Sequence, residues 1–280
     1  MLPSPADLVE LPFMRTATAE IALLAVAGGL LGTWIVLRRL AFFAHAVGTS
    51  TFPGLVVADA TGFSATVAAL AVALGFAGGV ERAGRGVRDH GNAAVALALV
   101  AALATGVVLA SDVFESGAAV DRLLFGSVLA LGAEDLWITT AAAVAAIAAT
   151  ALLGRAWALG GFDPEGAPAL GLPSATPDRL LLGLIAVAAV AALPAVGALL
   201  VTSMFVVPAA TARLLVRGVR ALLLASVAVA LVQGWAGLYV ALWLDAPPGP
   251  AIALVGGLLY AAASAATTSS GRAARIGEPA

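Results

Sequence analysis

The sequence predicts an all-α, polytopic integral membrane protein with eight or nine transmembrane helices and one short cytoplasmic helix. Two observations predict it. Hydrophobic residues make up 62% and charged residues 11% of the 280 residues, against about 45–50% and about 25% in an ordinary soluble domain, so lipid must solvate most of the chain. Stretches such as 93–110 are apolar on every face for a full bilayer width, unlike the short alternating segments of a β-barrel.

About 20 apolar residues cross roughly 30 Å of hydrocarbon. On that measure spans fall at 18–37, 42–60, 63–79, 92–110, 135–153, 180–193, 196–212, 221–242 and 251–266. The pair flanking Pro194 can also be read as one long broken helix, which leaves eight spans open. Short cytoplasmic loops collect arginine. With the amino terminus outside, every arginine except Arg15 and Arg122 falls on one side, and most acidic residues fall on the other. That distribution favours nine crossings, or eight plus a re-entrant segment. Segment 118–131, short and carrying Asp121, Arg122 and Gly126, reads as re-entrant beside a pathway, or as an amphipathic helix on the outer surface. The expected organisation is an external segment 1–16, a single transmembrane domain 17–267 with its short cytoplasmic helix at about 162–172, and a disordered cytosolic tail 268–280.

Composition excludes several functions. The chain has no Cys and no Lys, so it holds no disulfide, no thiolate metal site and no Walker A loop, whose Lys binds phosphate. A net charge of −2 without a basic run argues against nucleic acid as a partner. Residues 1–16 lack the basic region of a cleaved signal peptide.

The loop after the fifth span is punctuated as a short helix. Asp163 can cap free N–H groups, Pro164 suits the first helical position, Glu165 favours the positive amino end, and Gly171 before Pro173 ends the turn. An ordinary capped loop meets the same pattern. Inside the spans, ionisable groups are costly and are candidates for function. His45 lies four residues before Thr49 on one helix face, with Pro53-Gly54 expected to bend the helix just beyond. An imidazole suits zinc or manganese, a hydroxyl can assist, and a His bonded to a neighbouring helix explains the residue equally well. Glu20 and Asp59 are expected at solvated outer ends, where they would form an acidic mouth for cations. Gln233 is expected to bond another helix, Met204 to pack, and His90 to lie on the surface.

Asp163-Pro164-Glu165 with Ala169-Leu170-Gly171 resembles the coupling-helix segment of the permease subunits of zinc, manganese and iron ABC importers. Further stretches match in the same order: Val36 to Phe43, Phe52-Pro53-Gly54, Leu124 to Ser127, Val196 to Val201, Val207 to Arg213, and Leu244 to Ile252. The resemblance implies a multi-pass permease of the bacterial plasma membrane that pairs with a second permease chain in a homodimer. It also implies a separate ATPase, docked at Asp163, Pro164, Glu165, Leu170 and Gly171, that uses the ATP. An extracytoplasmic metal-binding protein would deliver the ion, and the chain itself would bind no cofactor and perform no covalent chemistry. The family carries Asp, then His four residues on, where this chain has His45 and Thr49, so those two residues are the expected transient metal ligands. Two other classes remain. A gradient-driven secondary transporter would show paired intramembrane carboxylates, which are missing; a non-transporting membrane scaffold would explain the loss of the Asp and His pair.

Overall fold

The computed structural model describes residues 12–84, 91–113, 125–127, 131–162, 175–198 and 200–276. Among these, all regular structure is helical. The helices are α1 (Pro12–Leu37), α2 (Ala41–Ser50), α3 (Phe52–Thr61), α4 (Ala65–Gly84), α5 (Gly91–Val108), α6 (Ala133–Phe162), α7 (Ala175–Val196), α8 (Val201–Leu215), α9 (Val219–Leu244) and α10 (Pro248–Ile276). Counting α2 and α3 as one crossing, eight of them are long and apolar enough to span a membrane, and α8 is the shorter apolar helix. At 1.5 Å per residue α8 is only about 22 Å long.

Several expected boundaries move. The pair of spans around Pro194 resolves into one full-length helix and one short one. Pro194 lies inside α7, and the chain breaks at Gly197, whose φ of +82° is a left-handed value that glycine adopts without strain. The carbonyl freed at the end of α7 finds a partner: Ser127 N donates to Pro194 O at 2.9 Å. The fragment 125–127 of the expected re-entrant segment therefore docks on the broken end of a span, as buried polar backbone requires. α10 runs to Ile276, past the point where a disordered tail was expected to start. Residues 163–174, with Asp163, Pro164, Glu165, Leu170 and Gly171, lie outside the described residues, as does His90.

Small residues set the centre of the bundle, because lipid offers helices no hydrophobic drive to associate and backbones must come close to pack. Gly28 and Gly32, four apart on α1, face α8; a Cβ on Gly28 would stand 2.9 Å from Met204 O, and one on Gly32 would collide with Phe205 O. Pro208 inside α8 explains part of this contact. It has no N–H for Met204 O, and that bare carbonyl sits where α1 presents only glycine. A hydroxyl pair crosses from α1 to α9, with Thr33 Oγ1 and Ser226 Oγ 3.0 Å apart and both side chains buried. Near the bend expected at Pro53 the helix is interrupted at Thr51, between α2 and α3. Three consecutive hydroxyls bond back into the preceding turn there, Thr49 to His45 O, Ser50 to Val47 O and Thr51 to Gly48 O, a pattern that bends helices.

Candidate functional site

The only His within a described helix, His45, projects from α2 toward the first turn of α8. Its Nδ1 lies 3.1 Å from Thr202 Oγ1. The break after α7 makes this meeting possible: it lets α8 begin in the bundle interior, with Met204, two residues on from Thr202, packed at Gly28 in the body of α1. A Cβ added to Gly48, one turn after His45, would stand in van der Waals range of Ala198 O and Val201, so the broken segment lies over the helix that carries the imidazole.

The pair has a defined chemistry. A neutral imidazole carries one N–H, and the hydrogen bond made by one nitrogen decides what the other can do. With Nδ1–H donating to Thr202 Oγ1, the Nε2 lone pair is open to a metal ion. Thr202 can thus hold the ring in its metal-binding tautomer and orientation. Thr49, the other expected ligand, is buried in α2 with its hydroxyl donating to His45 O at 3.1 Å. Its hydrogen is committed to the backbone. The structure therefore brings His45 together with Thr202 by a side-chain bond, and ties Thr49 to the His45 carbonyl.

The two carboxylates expected at an outer mouth part company. Asp59 is exposed near the end of α3. Glu20 is fully buried, and its Oε1 accepts a hydrogen bond from Thr139 Oγ1 of α6 at 2.6 Å; Oε2 has no partner. Glu20 was placed at a solvated end because the first span was expected to begin at residue 18. The helix begins at Pro12, two turns earlier, and carries the carboxyl into the α1–α6 contact, with Thr139 also within 3.4 Å of Ala191 O on α7. Gln233 bonds between helices as expected, donating to Ser203 O at 2.9 Å, one residue from Thr202. Met204 is buried in the core.

Among the described residues no three His, Cys, Asp or Glu side chains gather as a metal cluster. One imidazole and neighbouring hydroxyls make a sparse donor set, suited to brief contact with an ion rather than tight holding. Sequence reasoning missed Thr202. The available signal was a Thr-Ser pair at the start of an apolar helix directly after a glycine break, a place where polar side chains inside a membrane protein face other protein or a cavity.

The model of the ABC 3 transport family matches residues 10–267. A manganese transport system membrane protein, MntC, of Halalkalibacterium halodurans is 30% identical over 92% of this chain and 88% of its own length. The manganese import system permease protein ScaB of Streptococcus parasanguinis is 25% identical over 90% of each chain. Among solved structures, PsaBC from Streptococcus pneumoniae in complex with a Fab aligns with a TM-score of 0.81 at 22% identity, covering 92% of this chain and 93% of that one. An inward-facing putative metal-chelate type ABC transporter aligns at 0.70 and 19% identity.

Proposed function

Because the chain belongs to the ABC 3 transport family, a family of multi-pass membrane permeases, we propose that it is the permease of an ATP-driven importer that passes manganese, or else zinc or iron, along a path touching His45. The observation that carries this reading is the 3.1 Å pairing of His45 Nδ1 with Thr202 Oγ1, which orients the ring and, where Nδ1 carries the proton, leaves Nε2 as the metal-binding nitrogen. The manganese named for the relatives MntC and ScaB supports the choice of ion. The path is completed by a second copy of the chain, the ion arrives from an external binding protein, and the arginine-rich end of the bundle faces the cytosol. The test is radiometal uptake into vesicles holding the permease, its ATPase and the binding protein, scanned across manganese, zinc and iron. ATP-dependent uptake of one of them supports the reading; ATP hydrolysis with no uptake of any ion overturns it in favour of a scaffold.

In this reading the segment Asp163 to Gly171 docks the ATPase. Replacing Glu165 and Leu170 together with Arg is expected to cut uptake at least tenfold while the permease still inserts, since charge reversal and loss of an apolar anchor both act on one small contact. Co-purification of the ATPase at wild-type level would refute the docking role. The orientation has its own check in this Cys-free chain. Single Cys residues at exposed Asp59 and Asp245 should react with an impermeant thiol reagent in intact cells, and those at exposed Arg82 and Arg217 only after lysis. The opposite pattern would reverse the topology.

A further inference from the structure

At the arginine-rich end of the bundle one guanidinium joins three elements. Arg38 directly follows α1 and opens the tight turn into α2, where Leu40 N returns to Ile35 O at 2.8 Å. Its Nη1 donates to Trp157 O of α6 at 3.2 Å, and its Nη2 lies 2.6 Å from Asp178 Oδ1 in the first turn of α7. The Arg38 side chain is only 13% exposed. Gly160 leaves the guanidinium its room, because a Cβ there would collide with Nη1. Trp157 reinforces the same junction: fully buried, it donates from Nε1 to Pro177 O at 2.8 Å and meets Trp34 of α1 edge-on with ring centroids 5.5 Å apart. The two elements that flank residues 163–174, the last turns of α6 and the first turn of α7, are thus fastened to each other and to the turn that leads into the helix of His45.

We propose that Arg38, with Trp157 and Asp178, is the strut that carries movement from the ATPase-docking loop to the His45 helix, so that Arg38 is a positioning residue for coupling ATP hydrolysis to metal passage. This rests on the docking assigned above to Asp163–Gly171. The physical basis is stiffness. The planar fork of arginine binds carbonyl and carboxylate in fixed directions, and although Asp178 is 41% exposed, the mostly buried guanidinium holds both contacts at once and so joins α6 to α7. A displacement of the α6 and α7 ends therefore moves residues 38–40, and with them the start of α2. Trp157 blocks the alternative of sliding between α6 and α7, because its indole N–H is held by the α7 backbone.

The test uses the complete transporter in vesicles and reads three quantities: ATPase association, ATP hydrolysis and radiometal uptake. Arg38→Gln is expected to keep association, to leave hydrolysis within about twofold of wild type and to lower the ions carried per ATP at least tenfold. Arg38→Lys, which keeps the charge but not the fork, should fall between. Asp178→Asn should lower the ratio less than Arg38→Gln, since the Trp157 carbonyl contact survives. The exchange of Arg38→Asp with Asp178→Arg should recover at least threefold over either single change. An Arg38→Gln transporter with a wild-type ratio overturns the proposal; where that variant fails to fold, an unchanged ratio in both Arg38→Lys and Asp178→Asn overturns it equally. The docking reading fails separately, through unchanged ATPase association in the Glu165 and Leu170 double variant. In that case the strut has nothing to transmit and is rejected with it.

Discussion

Replacing Gly32 by Leu is expected to remove the folded protein from the membrane. A Cβ at residue 32 already collides with the Phe205 carbonyl, and that carbonyl belongs to α8, whose short length and position are fixed by the break at Gly197 on one side and by Gly28 against Met204 on the other. Overpacking a well-filled interior costs about 1–3 kcal/mol where side chains can shift. Here the obstacle is backbone, so the cost lies at or above the top of that range, a large part of the roughly 5–15 kcal/mol that holds a typical domain. Gly32→Ala should already lower the melting temperature in detergent, and Gly32→Leu should give no monodisperse peak on size exclusion. Gly183→Ala is the matched control: nothing lies within 4 Å of a Cβ there, so its elution and melting should stay at wild-type values. Equal behaviour of the residue 32 and residue 183 variants would show that the α1–α8 contact is not a close one.

The membrane helices were legible in the sequence because hydropathy is summed over some 20 residues and survives local error. What failed was local. At the α7–α8 junction Pro194 looked like the break and Gly197 did not, yet a membrane helix can pass a proline when neighbours supply the lost partners, and the positive φ of residue 197 depends on the tertiary contact with 125–127. Glu20 was misplaced by the six residues between the expected and observed starts of α1, enough to carry a carboxyl from a span end into a buried contact with Thr139. His45 was legible as the only imidazole within a span. Its partner was not, because Thr202 lies 157 residues away and nothing in either local pattern names the other. The Arg38 junction was hidden for the same reason: the arginine count reported on sidedness, and only the fold shows that one of those arginines is tied into the ends of α6 and α7.

His45→Ala is expected to lower metal uptake by at least tenfold, equivalent to about 1.4 kcal/mol or more of lost stabilisation along the path, without lowering the amount of folded protein. The second half follows from the structure. His45 is partly exposed and makes one side-chain hydrogen bond, to a Thr that is itself partly buried, so truncation strands no fully buried polar group. Thr202→Val should act on the same step more weakly. It removes the hydroxyl that orients the ring, a hydrogen bond of about 0.5–1.5 kcal/mol, so uptake should fall about twofold to tenfold, and Thr202→Ser should restore it. If the two residues act as a unit, the double variant His45→Ala with Thr202→Val should transport no worse than His45→Ala alone, because the hydroxyl has no ring left to orient. Additive losses would place Thr202 on the path independently. Installing the pair that the resemblance implies at these positions, His45→Asp with Thr49→His, should keep transport of the same ion. Position 49 is buried, so the paired change must be judged against its own folded yield. Normal uptake by His45→Ala would make the imidazole structural and move the path away from the α2–α8 contact.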